Sequence, residues 1–116
     1  MRHGARPNFL HLYGFPATAC ISVNDTVIHG IPNKQQQIRP GDIVSIDTGC
    51  KIDGFNGDNA CTYACGKIDL EAQRLLDVTK ESLHRGIEMA CGGNRVGDIG
   101  HAVQSYVEEN GFSVVR

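Results

Sequence analysis

The sequence predicts an α/β (α+β) domain in which antiparallel hairpins pack with two helices. Three observations predict it. Ile43, Val44 and Ile46 open a β-forming run that meets the turn pair Asp53-Gly54 and returns through Asn59–Tyr63. Apolar residues recur at helical spacing over 72–90 and again over 96–107. Glycine and proline punctuate the boundaries at Pro40-Gly41, Gly66, Gly92-Gly93 and Asn110-Gly111. A chain of 116 residues can bury a modest core, so one domain over 1–116 is expected.

Residues 1–16 contain Phe9, Leu10, Leu12, Tyr13 and Phe15, too many apolar groups for a free tail. They predict a loop whose aromatics dock on the body or line a pocket. Cys20–Asn24 alternates as a strand, Asp25-Thr26 reads as a turn, and Val27–His29 reads as the return strand, closed by Gly30-Ile31-Pro32. A polar loop follows to Pro40-Gly41. After the 43–63 hairpin, Asp69 is a suitable N-cap, with Glu71 in the first turn of a helix. Its apolar stripe is Ala72, Leu75, Leu76, Leu83, Ile87 and Ala90. The second helix starts near Val96 and carries Ile99, Val103, Tyr106 and Val107. Phe112–Val115 reads as the beginning of a strand.

Composition narrows the function classes. The formal net charge is −2, with no long charge run, which argues against nucleic acid or a membrane surface as a main partner. No apolar run approaches the length of a membrane span, and M-R-H-G-A-R-P-N carries no apolar core of a signal peptide. The cysteines number five, and Cys61 and Cys65, the only close pair, match no strong zinc spacing. Reduced thiols in a cytoplasmic protein are expected.

Asp47 interrupts an apolar strand, where a carboxylate is costly unless something pairs with it. If Asp53 and Gly54 are the turn residues, position 47 pairs with 60 and position 49 with 58. Asp58 then lies diagonally across from Asp47 on the same face, roughly 7–8 Å away at the backbone. Two carboxylates so placed can lean onto ions spaced about 3.5–4 Å apart. A three-residue loop without a bulge would instead put the acids on opposite faces. Asp58, in a G-D context, reads as a turn residue before it reads as a ligand. His29, at a strand end beside Gly30, is the best further candidate, against the plainer reading of a satisfied histidine. His101 with Asp98, and His84 with Glu81 and Glu88, read as solvated helix faces. No nucleophile elbow, Walker loop or dinucleotide fingerprint is present.

H-G-I-P at His29, G-D-I-V-S-I-D ending at Asp47, D-G-F-N-G-D ending at Asp58, and the closing G-F-S-V-V-R together resemble a type I methionine aminopeptidase. Y-G-F-P-A-T-A-C-I-S-V-N-D, upstream, fits as well. The resemblance covers nearly the whole chain. It implies the pita-bread fold and removal of the initiator Met from nascent polypeptides by water activated on two divalent ions, with Co, Mn, Fe and Zn all compatible with oxygen ligands. It implies that Asp47 and Asp58 are metal ligands, that His29 is a catalytic residue hydrogen-bonding the substrate near the scissile amide, and that Phe15 and Cys20 border the pocket for the Met side chain. Asn24 falls near a monovalent-cation loop of the family. The partners it implies are the N-terminal Met of peptides and nascent chains, and the ribosome.

Departures from the pattern qualify these expectations. Leu12 stands where family members often have Tyr, and Cys91-Gly92-Gly93 replaces a Pro-Gly turn. In the family the closing motif is followed by a G-H-G-I-G stretch whose His binds metal, and later by two Glu ligands. The chain ends at Arg116, so about half of the pita-bread fold is expected, inactive by itself and prone to self-association through uncovered surfaces. Two alternatives are a pita-bread module that binds peptides without cleaving them and an enzyme similar to aminopeptidase P. Retention of both acids favours the enzyme lineage, and the H-G-I-P and Y-G-F-P stretches fit the methionine enzymes better.

Overall fold

The computed structural model describes residues 3–115. It divides into two compact units, Met1–Ile68 and Asp69–Arg116. The first is an antiparallel sheet of β1 (Arg6–Pro7), β2 (Ala19–Val23), β3 (Ile43–Ile52) and β4 (Phe55–Ala64). β3 is the central strand. It pairs with β4 along its whole length, while β2 and the short β1 pair with separate stretches of it, residues 44–48 and 50–51. The second unit is a pair of helices, α1 (Leu70–Met89) and α2 (Val96–Glu109).

The long hairpin forms because Asp53 and Gly54 both accept positive φ, 51° and 87°. That mirror-image turn matches the right-handed twist of the flanking strands. Below the strands, the Asp42 carbonyl accepts from Cys65 N at 2.8 Å, and Gly41 N donates to the Cys65 carbonyl at 2.7 Å, so the pairing closes at Pro40-Gly41.

Two predicted strands are not strands. Val27–His29 belongs to a loop, and its only ladder-like tie to β2 in this stretch is at Gly30, whose carbonyl accepts from Ile21 N at 2.9 Å. The left-handed backbone of Asn24 (φ 49°) and His29 (φ 57°) is incompatible with continuous pairing. Phe112–Val115 is also irregular: Phe112 N caps the helix end by donating to Val107 O at 3.1 Å, and its ring lies under the Arg74 guanidinium at 5.3 Å. The N-terminal aromatics dock only in part. Phe9 packs over Gly49, where a Cβ would stand 2.8 Å from the Phe9 ring, whereas Tyr13 is fully exposed.

Asp69 caps α1 as predicted, accepting from Ala72 N at 2.7 Å. The buried line of α1 differs from the predicted stripe. It is Val78, Ser82 and Gly86, while Leu83 and Ile87 are more than half exposed. Within this unit α1 meets only α2, and close approach selects the small residues. A Cβ on Gly86 would come within 2.9 Å of a Val103 methyl and 3.4 Å of an Ile99 methyl. On α2, Val107 is buried and Ile99, Val103 and Tyr106 are half-buried, as the spacing predicts, but Val96 is exposed. Asp98 caps this helix, accepting from Arg95 N at 2.7 Å, so it is not paired with His101.

Candidate metal centre

Register decides which side chains meet. Asp47 pairs with Ala60 and Gly49 with Asp58, as the two-residue turn requires. Across the other edge of β3, Cys20 pairs with Asp47 and Ser22 with Ser45. One face of the sheet therefore carries Cys20, Asp47 and Asp58 together with a row of hydroxyls, Ser22, Ser45 and Thr62. Ser45 and Thr62 share a hydrogen bond of 2.7 Å. The opposite face carries Val23, Val44, Ile21 and Ile46.

Asp47 and Asp58 approach closely enough that one carboxyl can donate to the other when protonated. As two carboxylates they have no proton to share, and the buried Oδ1 of Asp47 has no hydrogen-bond partner. Burial pushes the Asp47 carboxyl above the usual carboxylate range, and the Asp58 charge and the shared proton add to that rise, while His29 opposes it. Burial first, then the charges of Asp47 and Asp58, push the Cys20 thiol up. Cys20 therefore keeps its proton, which makes it an apolar neighbour of the acids rather than a thiolate ligand or nucleophile.

This donor set fits a hard or borderline divalent cation. It offers carboxylate oxygens, one of them buried and unpartnered, and a cation would relieve the repulsion between them. Among the described residues, no group of three or more His, Cys, Asp or Glu side chains is placed to hold a metal ion. The chain thus brings two acids to the centre, with His29 near enough for its charge to act on Asp47.

His29 is exposed, on the loop that Gly30 fastens to β2. Phe15 is half-buried at the end of a 3-10 turn, Leu12–Gly14, where its amide donates to Leu12 O at 2.9 Å. A recess of about 440 Å³ is lined by His3, Ala5, Arg6, Pro7, Thr18, Gly49 and Cys50. It includes neither Phe15 nor Cys20, so it is not the pocket that the resemblance implies. The Asn24 side chain is engaged, donating to Asp42 Oδ1 at 2.8 Å and accepting from Ile43 N at 3.0 Å. Sequence reasoning missed the hydroxyl row and the docking of Phe9 over Gly49. The hydroxyls were within reach, since Ser22, Ser45 and Thr62 each lie two positions from a residue in the Cys20–Asp47–Ala60 row.

The model of metallopeptidase family M24 matches residues 1–116. A methionine aminopeptidase of Clostridium perfringens is 53% identical over 115 residues, covering 99% of this chain and 46% of its own length. Methionine aminopeptidase 1 of Bacillus subtilis is 46% identical with the same coverage. Among solved structures, the methionine aminopeptidase of Thermotoga maritima superposes with a TM-score of 0.93 at 41% identity, over 97% of this chain and 45% of that one. A prolidase from Pyrococcus furiosus, at 22% identity and a TM-score of 0.74, shares the fold. The chain spans about half the length of the relatives it matches, and its sheet and helices correspond to about half of their pita-bread fold. With the whole chain matched and both acids on one sheet face, this protein belongs to metallopeptidase family M24.

Proposed function

We infer that the chain contributes Asp47, Asp58 and His29 to a site that removes the N-terminal Met of peptides and nascent chains. The observation that carries this reading is the unpartnered, buried oxygen of Asp47 beside Asp58 on one face of the sheet. The substrate follows from the similarity to methionine aminopeptidases. Asp47 and Asp58 would each contribute ligands to a pair of divalent ions, with Co, Mn, Fe and Zn each suited to oxygen donors. When bound, such a pair supplies Lewis-acid polarisation of the scissile carbonyl and activation of water.

The chain's own residues do the rest. His29 donates a hydrogen bond near the scissile amide and orients it. Phe15, as the aromatic wall, and the protonated Cys20 keep water from the Met side chain. The five free thiols suit a reducing cytoplasm, where nascent chains leave the ribosome.

Calorimetry with Mn²⁺ tests the reading. The chain should bind the ion, and Asp47→Asn and Asp58→Asn should each weaken binding about tenfold or more. No binding by a chain whose hairpin is folded would overturn the reading. Because two acids leave the centre short of ligands, the 116-residue chain alone should not release Met from a Met-Ala-Ser peptide. Turnover by it, abolished by a chelator, would show that the two acids suffice. Leu83 and Ile87, exposed on α1, also favour self-association, which sedimentation should register as a species heavier than one chain.

A further inference from the structure

We propose that Ser22 is a positioning residue for His29, acting through the backbone of Gly30. The proposal rests on the role given to His29 above. The Ser22 hydroxyl oxygen accepts from Gly30 N at 3.0 Å, and the Gly30 carbonyl accepts from Ile21 N at 2.9 Å. Both partners of the first bond are buried, Ser22 being 4% exposed. Without the hydroxyl, the Gly30 amide would be left buried and unsatisfied.

Three features make this tie specific. Residues 27–31 belong to no regular element, and the two bonds at Gly30 fasten them to β2, while Thr26 N, donating to Val23 O at 3.1 Å, holds only the turn that leaves the strand. A Cβ at Gly30 would stand 2.1 Å from the Ile21 carbonyl oxygen, so only glycine allows the approach. The main-chain bond to Ile21 fixes the loop along the edge of β2 but favours neither face of the sheet. Ser22 breaks that symmetry. Its side chain lies on the face of Cys20 and Asp47, so its hydrogen bond draws the 29–30 backbone toward the acids. His29 is held there in left-handed backbone (φ 57°), a conformation that a released loop would not favour.

Nuclear magnetic resonance of the 116-residue chain tests this without metal or turnover. The His29 ring signals are assigned with His29→Gln. In the parent chain, Asp47→Asn should shift them, because His29 lies near enough for its charge to act on Asp47. In Ser22→Ala the Gly30 amide should exchange about tenfold faster or more, as expected for loss of one buried hydrogen bond. In that background Asp47→Asn should lose most of its effect on the ring. Ser22→Thr, which keeps an acceptor oxygen, should retain the response. Gly30→Ala, which leaves Ser22 intact but forces the loop off β2, should lose it. Amide protection along β3 and β4 reports whether each variant is folded; if Ser22→Ala is not, the Ser22→Thr and Gly30→Ala pair decides. An undiminished ring response in folded Ser22→Ala, or none in the parent chain, overturns the proposal. Failure of the metal reading appears instead in the Mn²⁺ calorimetry, so the two are told apart.

Discussion

Asp47 and Asp58 stand diagonally across the β3–β4 ladder, on one face and close enough for their carboxyls to share a proton. Among the described residues, no hydrogen-bond donor reaches the buried oxygen of Asp47, Cys20 opposite it keeps its proton, and the charge of His29 only partly offsets the repulsion. The hairpin thus carries an unfavourable contact that a divalent cation would turn into a favourable one.

The turn sets that relationship, which gives the first prediction. Inserting one residue between Asp53 and Gly54 should turn Asp58 to the opposite face, because side chains alternate along a strand. Mn²⁺ affinity should fall to that of Asp58→Asn, about tenfold or more below the parent chain, while hairpin amides stay protected. Undiminished affinity in calorimetry would show that register does not bring the acids together.

The second prediction concerns pH. Burial and then the charge of Asp58 raise the Asp47 carboxyl in the native state, so the native state holds its proton more tightly than the unfolded chain does. The resulting stability is fully present below the unfolded carboxylate value and is lost as pH rises through the raised native value. The metal-free chain should therefore lose stability from this group between acidic and neutral pH. Asp47→Asn should flatten that part of the profile and stabilise the metal-free chain at neutral pH by up to about 1 kcal/mol. Thermal denaturation across pH checks it; a variant less stable than the parent at neutral pH would contradict the repulsion.

What the sequence made legible follows local chemistry. Asp53-Gly54 is a turn signal contained in two residues, and from it the register, the pairing of 47 with 60 and the shared face of the acids all follow. Asp69 was readable for the same reason, since an N-cap needs only its own first turn. The loop at His29 was not. Val27 and Ile28 have strand propensity, but both are more than half exposed, and Gly30 docks through contacts with Ile21 and Ser22 that propensity does not encode. The α1 stripe held only in part, with Ala72 and Leu76 half-buried, and for a related reason. Leu83 and Ile87 dominate a periodicity count by hydrophobicity, whereas the helix contact was decided by how closely the backbones approach at Gly86.

A third prediction takes the opposite sign to the second. The side-chain amide of Asn24 and the backbone amide of Arg39 hold the Asp42 carboxyl below its usual range, with donor distances of 2.8 and 2.7 Å. This group contributes stability above the unfolded carboxylate value and loses it as pH falls through the lowered native value. Asn24→Ala should therefore lower the melting temperature at neutral pH and lower it less in acid. An equal drop at both would assign the loss to the Ile43 amide that Asn24 also caps.

The fourth prediction tests the helix pair. In an exposed helix interior, Gly→Ala gains roughly 1 kcal/mol of propensity. At Gly86 that gain meets a Val103 methyl 2.9 Å from the new Cβ, and Val103 is β-branched, with little rotamer freedom to yield. Gly86→Ala should accordingly gain less than the propensity value. Gly86→Leu cannot be accommodated without separating α1 from α2, and should cost roughly 1–3 kcal/mol, the usual range for overpacking. In Gly86→Leu, shortening Val103 to Ala should recover part of the loss, because the two changes share one contact. Denaturant unfolding of the two single variants and the double variant measures that coupling. Strict additivity would show that the Gly86 contact is not where the helices meet.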